Sequence, residues 1–166
     1  MIQWMLLRHA KSDWTTGAQG DKERPLNSRG KKMATQLGHQ LKQRNLLPER
    51  ILSSPSLRTV QTLQGLFQAW TEYCETPMPE IFYLEELYLA SPETIQACTA
   101  QHHGERTRLL CLGHNPGMEM LASQLAKEEV VMKTAHLLVF ESEQNWEEAV
   151  NRPKAWRTIE NIRGEE

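Results

Sequence analysis

Short apolar runs alternate with amphipathic stretches along the whole chain, and that alternation sets the expected architecture. Residues 2–7 form an apolar-rich run of strand length, followed by a polar loop over 11–24. Asn27 then offers a helix cap. Met33, Leu37 and Leu41, with Ala34 and Gly38 beside them, space one stripe and predict a helix to about Asn45. Residues 50–53 read as a second strand. Ser54 is the expected cap of the next helix, with Pro55 at its first position, where a missing N–H is harmless. Val60, Leu63, Phe67 and Trp70 would be its buried side. Residues 81–84 are a third strand, and Ser91-Pro92 repeats the cap-plus-proline start for a weaker helix holding Ile95 and Cys98. A fourth strand is expected over 108–113, then a helix from Asn115-Pro116 with Met118, Leu121, Ala122 and Leu125 on one face. Near the C-terminus, 136–140 reads as a strand and 155–162 as an edge strand.

Strands alternating with helices imply an α/β fold. The expected form is three-layer α/β/α: a mostly parallel central sheet, helices on both faces, and an antiparallel edge strand near the C-terminus. The 166 residues fit a single domain, 1–166, long enough to bury a real core. Hydrophobic residues make up 39% and charged residues 24%, ordinary for a globular protein. No run approaches the length needed to cross a membrane, and the N-terminus lacks the basic start of a signal peptide, so the cytoplasm is the expected compartment. A net charge of −2 argues against a general nucleic-acid binder. The three cysteines, Cys74, Cys98 and Cys111, form no CxxC pair. They read as buried free thiols rather than a disulfide framework or a zinc site.

In a parallel sheet, ligands bind beyond the carboxyl ends of the strands, so the residues at those ends matter most. The first strand ends in Arg8-His9. The second leads through Ser53-Ser54-Pro55 into a helix carrying Arg58, and the fourth ends in Gly113-His114-Asn115-Pro116. Two arginines and two histidines should therefore gather at one end of the sheet, beside two helix N-termini. Helix N-termini favour anions, and the guanidinium fork matches phosphate oxygens in pairs. Each residue alone has a plain structural explanation. Three strand ends delivering the same chemistry point to a phosphoryl group.

The motifs at these positions resemble those of a known family. Leu6 through Trp14, with Arg8-His9-Ala10 at its centre, resembles the signature of the histidine phosphatase (phosphoglycerate-mutase-like) superfamily. Asp21 with Arg24-Pro25-Leu26 resembles the next block of its SixA-type phosphohistidine phosphatases, and alanine at position 10, where many members carry glycine, points to the same branch. Ser53-Ser54-Pro55 through Thr59 and Leu112-Gly113-His114-Asn115-Pro116-Gly117 resemble the blocks carrying the second arginine and the second histidine. The resemblance implies His9 as the nucleophile, with Arg8, Arg58 and His114 completing the phosphate pocket. It also places Glu86 where the mutase branch carries a general acid, although Glu85 and Glu86 read equally well as a solvated pair after a strand. Ser12 and Asp13 could line the pocket rim or simply form a turn, and Trp14 is expected to pack the loop.

The resemblance implies an enzyme needing no cofactor and no metal, acting through a phosphohistidine intermediate on His9. The expected substrate is phosphohistidine on a protein, with no nucleic-acid or membrane partner. A small-molecule phosphomonoesterase of sugar-phosphate type is the alternative within the same chemistry. A phosphoprotein-binding module without catalysis is the alternative from another class, disfavoured by His9, which binding alone does not require.

Overall fold

The computed structural model of the chain describes residues 1–15, 17–72 and 77–165. Six strands form one sheet: β1 (Ile2–Arg8), β2 (Arg50–Ser53), β3 (Glu80–Tyr83), β4 (Arg108–Gly113), β5 (His136–Ser142) and β6 (Arg157–Arg163), in the spatial order β3-β2-β4-β1-β5-β6. The first four are mutually parallel. β5 runs antiparallel to β1, and β6 antiparallel to β5 at the edge.

The apolar stripes decide which face each helix covers. Helices α1 (Ser28–Gln43) and α2 (Leu57–Thr71) bury Leu37, Leu41, Leu63, Leu66 and Trp70 against Met5, Leu7, Leu110 and Leu112 of the sheet. Helices α3 (Pro92–His102) and α4 (Gly117–Ala126) bury Ile95, Leu121 and Leu125 against Trp4, Leu6, Leu109 and Cys111 on the other face. Alternate residues of β1 and β4 thus feed two cores, as a sheet covered on both sides requires. Each fully buried leucine contributes roughly 1.5–3 kcal/mol.

The chain steps from β1 to β2 to β3 under one helical layer, then turns back to β4 under the other. The direction of winding therefore reverses at the carboxyl ends of β1, β2 and β4, the switch point where such sheets open a crevice. Cys98 and Cys111 are free and buried, whereas Cys74 lies outside the described residues. No helix among the described residues is long and apolar enough to cross a membrane.

Local capping follows the sequence for α1 and α3 but not for α2, nor for α4, which begins at Gly117 with Pro116 at the cap and no side-chain cap. Asn27 caps α1 by accepting from the Gly30 amide at 2.8 Å, and Ser91 caps α3 through the Thr94 amide at 3.2 Å. Helix α2, however, begins at Leu57 with Ser56 at the cap, two residues later than Ser54-Pro55 predicts. The Ser54 hydroxyl instead meets His114, as described below.

Candidate active site

Strand register brings the expected residues together. Arg8 lies opposite Gly113 and Leu7 opposite Leu112, while Ser53 lies opposite Leu112 from the other side. The residues just beyond, His9, Ser54 and His114, therefore emerge side by side. The His9 amide donates to the Gly113 carbonyl at 3.2 Å and its own carbonyl accepts from Ala135 at 3.0 Å, so the backbone is held on both sides. Two close approaches require glycine here. A Cβ on Gly30 would come within 2.0 Å of the Lys11 carbonyl, and one on Gly117 within 1.7 Å of the Ala90 carbonyl. The first lets the loop after His9 rest on α1, and the second brings the start of α4 against the segment before α3.

The four side chains line one cleft of about 280 Å³, which Asp21 and Arg24 also enter. Arg58, only 1% exposed, is the centre of the arrangement. Its Nε donates to His9 Nε2 at 3.3 Å. Its Nη2 donates to His114 Nδ1 at 3.1 Å and to Asp21 Oδ2 at 2.9 Å, and its Nη1 to the Asp21 carbonyl at 2.7 Å. These contacts assign the histidine tautomers. His9 Nδ1 sits 2.7 Å from the Ala10 carbonyl, which can only accept, so Nδ1 carries the proton and Nε2 presents a lone pair. His114 Nδ1 accepts from Arg58, so its Nε2 donates to Ser54 Oγ at 2.8 Å.

Both rings are held neutral. Burial is the main cause, pushing His9 down to about 3, with His114, Arg58 and Arg8 adding to it against the Ala10 hydrogen bond. Burial also lowers His114 to about 3, helped by Arg58 and opposed by Asp21. Arg8 donates through Nη1 to the Met132 carbonyl at 3.1 Å, and its buried Nε finds no acceptor among the described residues.

Three residues to which the sequence assigned no role belong to the site. Asp21, in a short 3₁₀ turn (Asp21–Glu23), accepts from Arg58, from Arg24 at 3.0 Å and from the Tyr88 hydroxyl. Burial alone would raise its pKa, but the hydrogen bonds from Tyr88, Arg58 and Arg24 outweigh burial and bring it down to about 2. Arg24 also donates to Ser12 Oγ at 2.7 Å, which places Ser12 on the wall of the cleft. Tyr88 sets its ring edge-on to His114, with centroids 5.4 Å apart. The block from Asp21 to Leu26, whose resemblance to the SixA type is given above, was the signal that could have given the pair a role.

Glu86 is not brought to the site. It is exposed and does not line the cleft. The reason is the 3₁₀ turn Glu85–Leu87, in which every third residue faces the same way. Leu84 and Leu87 face the core, so Glu85 and Glu86 point outward, and Glu85 pairs with Lys22 at 2.5 Å. Tyr88, one residue past the turn, is what this segment delivers. Asp13 serves a turn, accepting from Thr15 and Asn27. Trp14 does not pack into the loop: it stays 54% exposed, with the Arg24 guanidinium 5.2 Å from its ring centroid. Among the described residues, no group of three His, Cys, Asp or Glu side chains converges as a metal site would.

Comparison with known proteins places the fold and the family. A chloroplastic protein of Arabidopsis thaliana is 29% identical over 160 residues, covering 92% of this chain and 73% of that protein. The crystal structure of a protein of Agrobacterium tumefaciens assigned as phosphohistidine phosphatase SixA is 27% identical, covers 97% of each chain and superposes with a TM-score of 0.79. The protein histidine phosphatase SixA complexed with tungstate, 21% identical over 98% of this chain and 97% of that one, shares the fold with a TM-score of 0.78. Residues 4–86, half of the chain, match the histidine phosphatase superfamily (branch 1). The chain belongs to the histidine phosphatase superfamily, branch 1, and is of the SixA type.

Proposed function

We propose that the protein removes the phosphoryl group from phosphohistidine on another protein, without a metal ion, by way of a phosphoryl group held on His9. Membership of the superfamily makes it a phosphatase. In the first step the His9 Nε2 lone pair forms a bond to phosphorus while the P–N bond to the substrate imidazole breaks. The substrate ring first takes a proton from solvent on its other nitrogen, so that the bonding pair leaves with a neutral imidazole. In the second step a water oxygen attacks the phosphoryl group, the P–Nε2 bond breaks, and phosphate and a proton are released. Arg8 and Arg58 hold the phosphoryl oxygens as charge spreads over them, and His114, anchored through Nε2 on Ser54, completes the pocket beside Arg58.

The observation carrying this reading is the state of the one carboxylate among the described residues lining the cleft. Asp21 is held at about 2, so it is ionised near neutral pH and supplies no proton. His9 and His114 are neutral, and Glu86 lies outside. An alkoxide leaving from a serine or sugar ester needs a proton from a placed acid. A departing imidazole does not, because its free pKa of about 6.5 lets it take a proton from solvent near neutral pH. The donor set also fits metal-free chemistry, being rich in guanidinium and poor in the carboxylate oxygens that magnesium requires. The buried free thiols Cys98 and Cys111 suit a reducing compartment such as the cytoplasm.

The test is a comparison of hydrolysis rates on a phosphohistidine protein and a panel of sugar and serine phosphate esters, with an acid-labile label sought on His9. Phosphohistidine should turn over faster by about a hundredfold or more, the usual value of missing acid catalysis. Comparable rates on sugar phosphates would overturn the substrate assignment. Turnover surviving in His9→Ala would overturn the covalent route.

A further inference from the structure

Arg8 owes its placement to a segment that has no regular structure of its own. Residues 127–135, between α4 and β5, form no helix or strand, yet Thr134 lines the cleft and the Met132 carbonyl accepts from Arg8 Nη1 at 3.1 Å. A segment of this kind needs side chains to hold it. Met132, 1% exposed, is held at both of its backbone polar groups. Its carbonyl also accepts from Asn115 Nδ2 at 2.8 Å, and its N–H donates to Glu119 Oε2 at 2.8 Å. The same carboxylate oxygen lies 3.4 Å from Asn115 Nδ2. Glu119 stands in the first turn of α4 and does not line the cleft itself. Its charge also reaches Arg8, where it offsets part of the effect of burial, which lowers the Arg8 pKa.

We propose that Glu119 is a positioning residue for phosphoryl binding: by holding the Met132 amide it fixes the carbonyl that orients Arg8 toward the cleft. The inference rests on Arg8 being a phosphoryl ligand, as proposed above. Without the Glu119 carboxylate, a buried N–H loses its acceptor, the segment shifts to satisfy it, and Arg8 loses a fixed partner. A glutamine at 119 keeps an acceptor oxygen at the same reach and preserves the arrangement. An aspartate keeps the charge but withdraws the oxygen by one methylene and does not.

The experiment is a double-mutant cycle read by tungstate affinity in calorimetry, which needs no turnover and so does not depend on the substrate assignment. Glu119→Ala and Glu119→Asp should each weaken tungstate binding about tenfold, the lower end for loss of a supporting hydrogen bond behind a ligand-binding group. Glu119→Gln should stay within about threefold. In an Arg8→Ala background, where Arg58 and both histidines still give weak binding, Glu119→Ala and Glu119→Asp should each change affinity less than about twofold, because the residue acts through Arg8. Equal losses in both backgrounds would show that Glu119 acts elsewhere, and a tenfold loss in Glu119→Gln would show that charge alone matters. Either overturns the proposal, as would unchanged affinity in Glu119→Ala. Should Glu119→Ala fail to fold, the aspartate variant carries the same cycle. If tungstate binds as expected but phosphohistidine is not hydrolysed, the substrate assignment fails and the role of Glu119 stands.

Discussion

Holding two histidines neutral inside the cleft has a measurable effect on stability. His9 and His114 both sit at about 3 in the folded protein, chiefly because of burial, against about 6.5 in an unfolded chain. Between those values the unfolded chain binds a proton at each ring and the folded protein does not. Stability is therefore complete above the unfolded pKa, falls as pH drops below about 6.5, and stops falling below about 3. The slope is about 1.4 kcal/mol per pH unit for each ring, so at pH 5 each histidine has removed roughly 2 kcal/mol and the pair roughly 4. Asp21, held at about 2, begins to respond only below about pH 4, which keeps the carboxylate out of this window. The perturbation is His9→Asn, whose amide can still donate to the Ala10 carbonyl but does not titrate. Urea unfolding followed by circular dichroism at pH 8 and pH 5 gives the stability change for each protein. Phosphate must be absent from the buffer, because an anion in the cleft would stabilise the folded state by mass action. The wild type should lose roughly 2 kcal/mol more than His9→Asn between the two pH values, by the same slope. His103, also lowered by burial, is unchanged in both proteins and cancels. Parallel losses in the two proteins would mean that His9 titrates normally in the folded state, and the neutral nucleophile would have to be abandoned.

Two further outcomes are expected. Glu86→Gln should leave hydrolysis of both phosphohistidine and esters within about twofold of wild type, the behaviour of an exposed side chain outside the cleft rather than of a general acid; a large loss on esters alone would return it to the reaction. Turnover should persist in excess chelator, and a loss that a divalent ion restores would refute metal independence.

How much of this was legible in the sequence depends on how far apart the interacting residues lie. Strands β1, β2 and β4 follow from local apolar runs, and the residues just beyond them converge because parallel register does the rest. Arg8, His9, Arg58 and His114 could therefore be placed at one end before any coordinates. The Asp21–Tyr88 contact joins residues 67 positions apart through two short 3₁₀ turns, which leave no periodic signal. Ser54 misled for a related reason. Serine before proline is a good helix start, but its hydroxyl is more valuable here as the partner of His114 Nε2, and Ser56 takes the cap position. Glu86 was lost to a single turn: a 3₁₀ twist anchored by Leu87 sends it to solvent and aims Tyr88 inward. The same kind of distance hid the link from Glu119 to Arg8, which passes through a backbone amide and leaves no side-chain pattern.

Asp21 also explains why a cleft proposed to bind a dianion contains a carboxylate at all. A lone negative charge there would repel the substrate, yet three guanidiniums, on Arg8, Arg24 and Arg58, enter the same cleft. With both histidines neutral, one carboxylate against three arginines leaves a net charge of two positive units, which balances a phosphoryl dianion. Without the Asp21 carboxylate the cations would repel one another in a buried space, and Arg58 Nη2 would lose the Oδ2 acceptor that orients it. Arg58 spends its Nε on the His9 lone pair and its Nη2 partly on His114. An arriving phosphoryl oxygen is a better acceptor for both than a neutral imidazole nitrogen. Its binding would draw Arg58 Nε away from His9 and free Nε2 for attack, while Asp21 keeps the guanidinium plane in place. The nucleophile would then be released by the substrate itself, with little reorganisation of the surrounding charges.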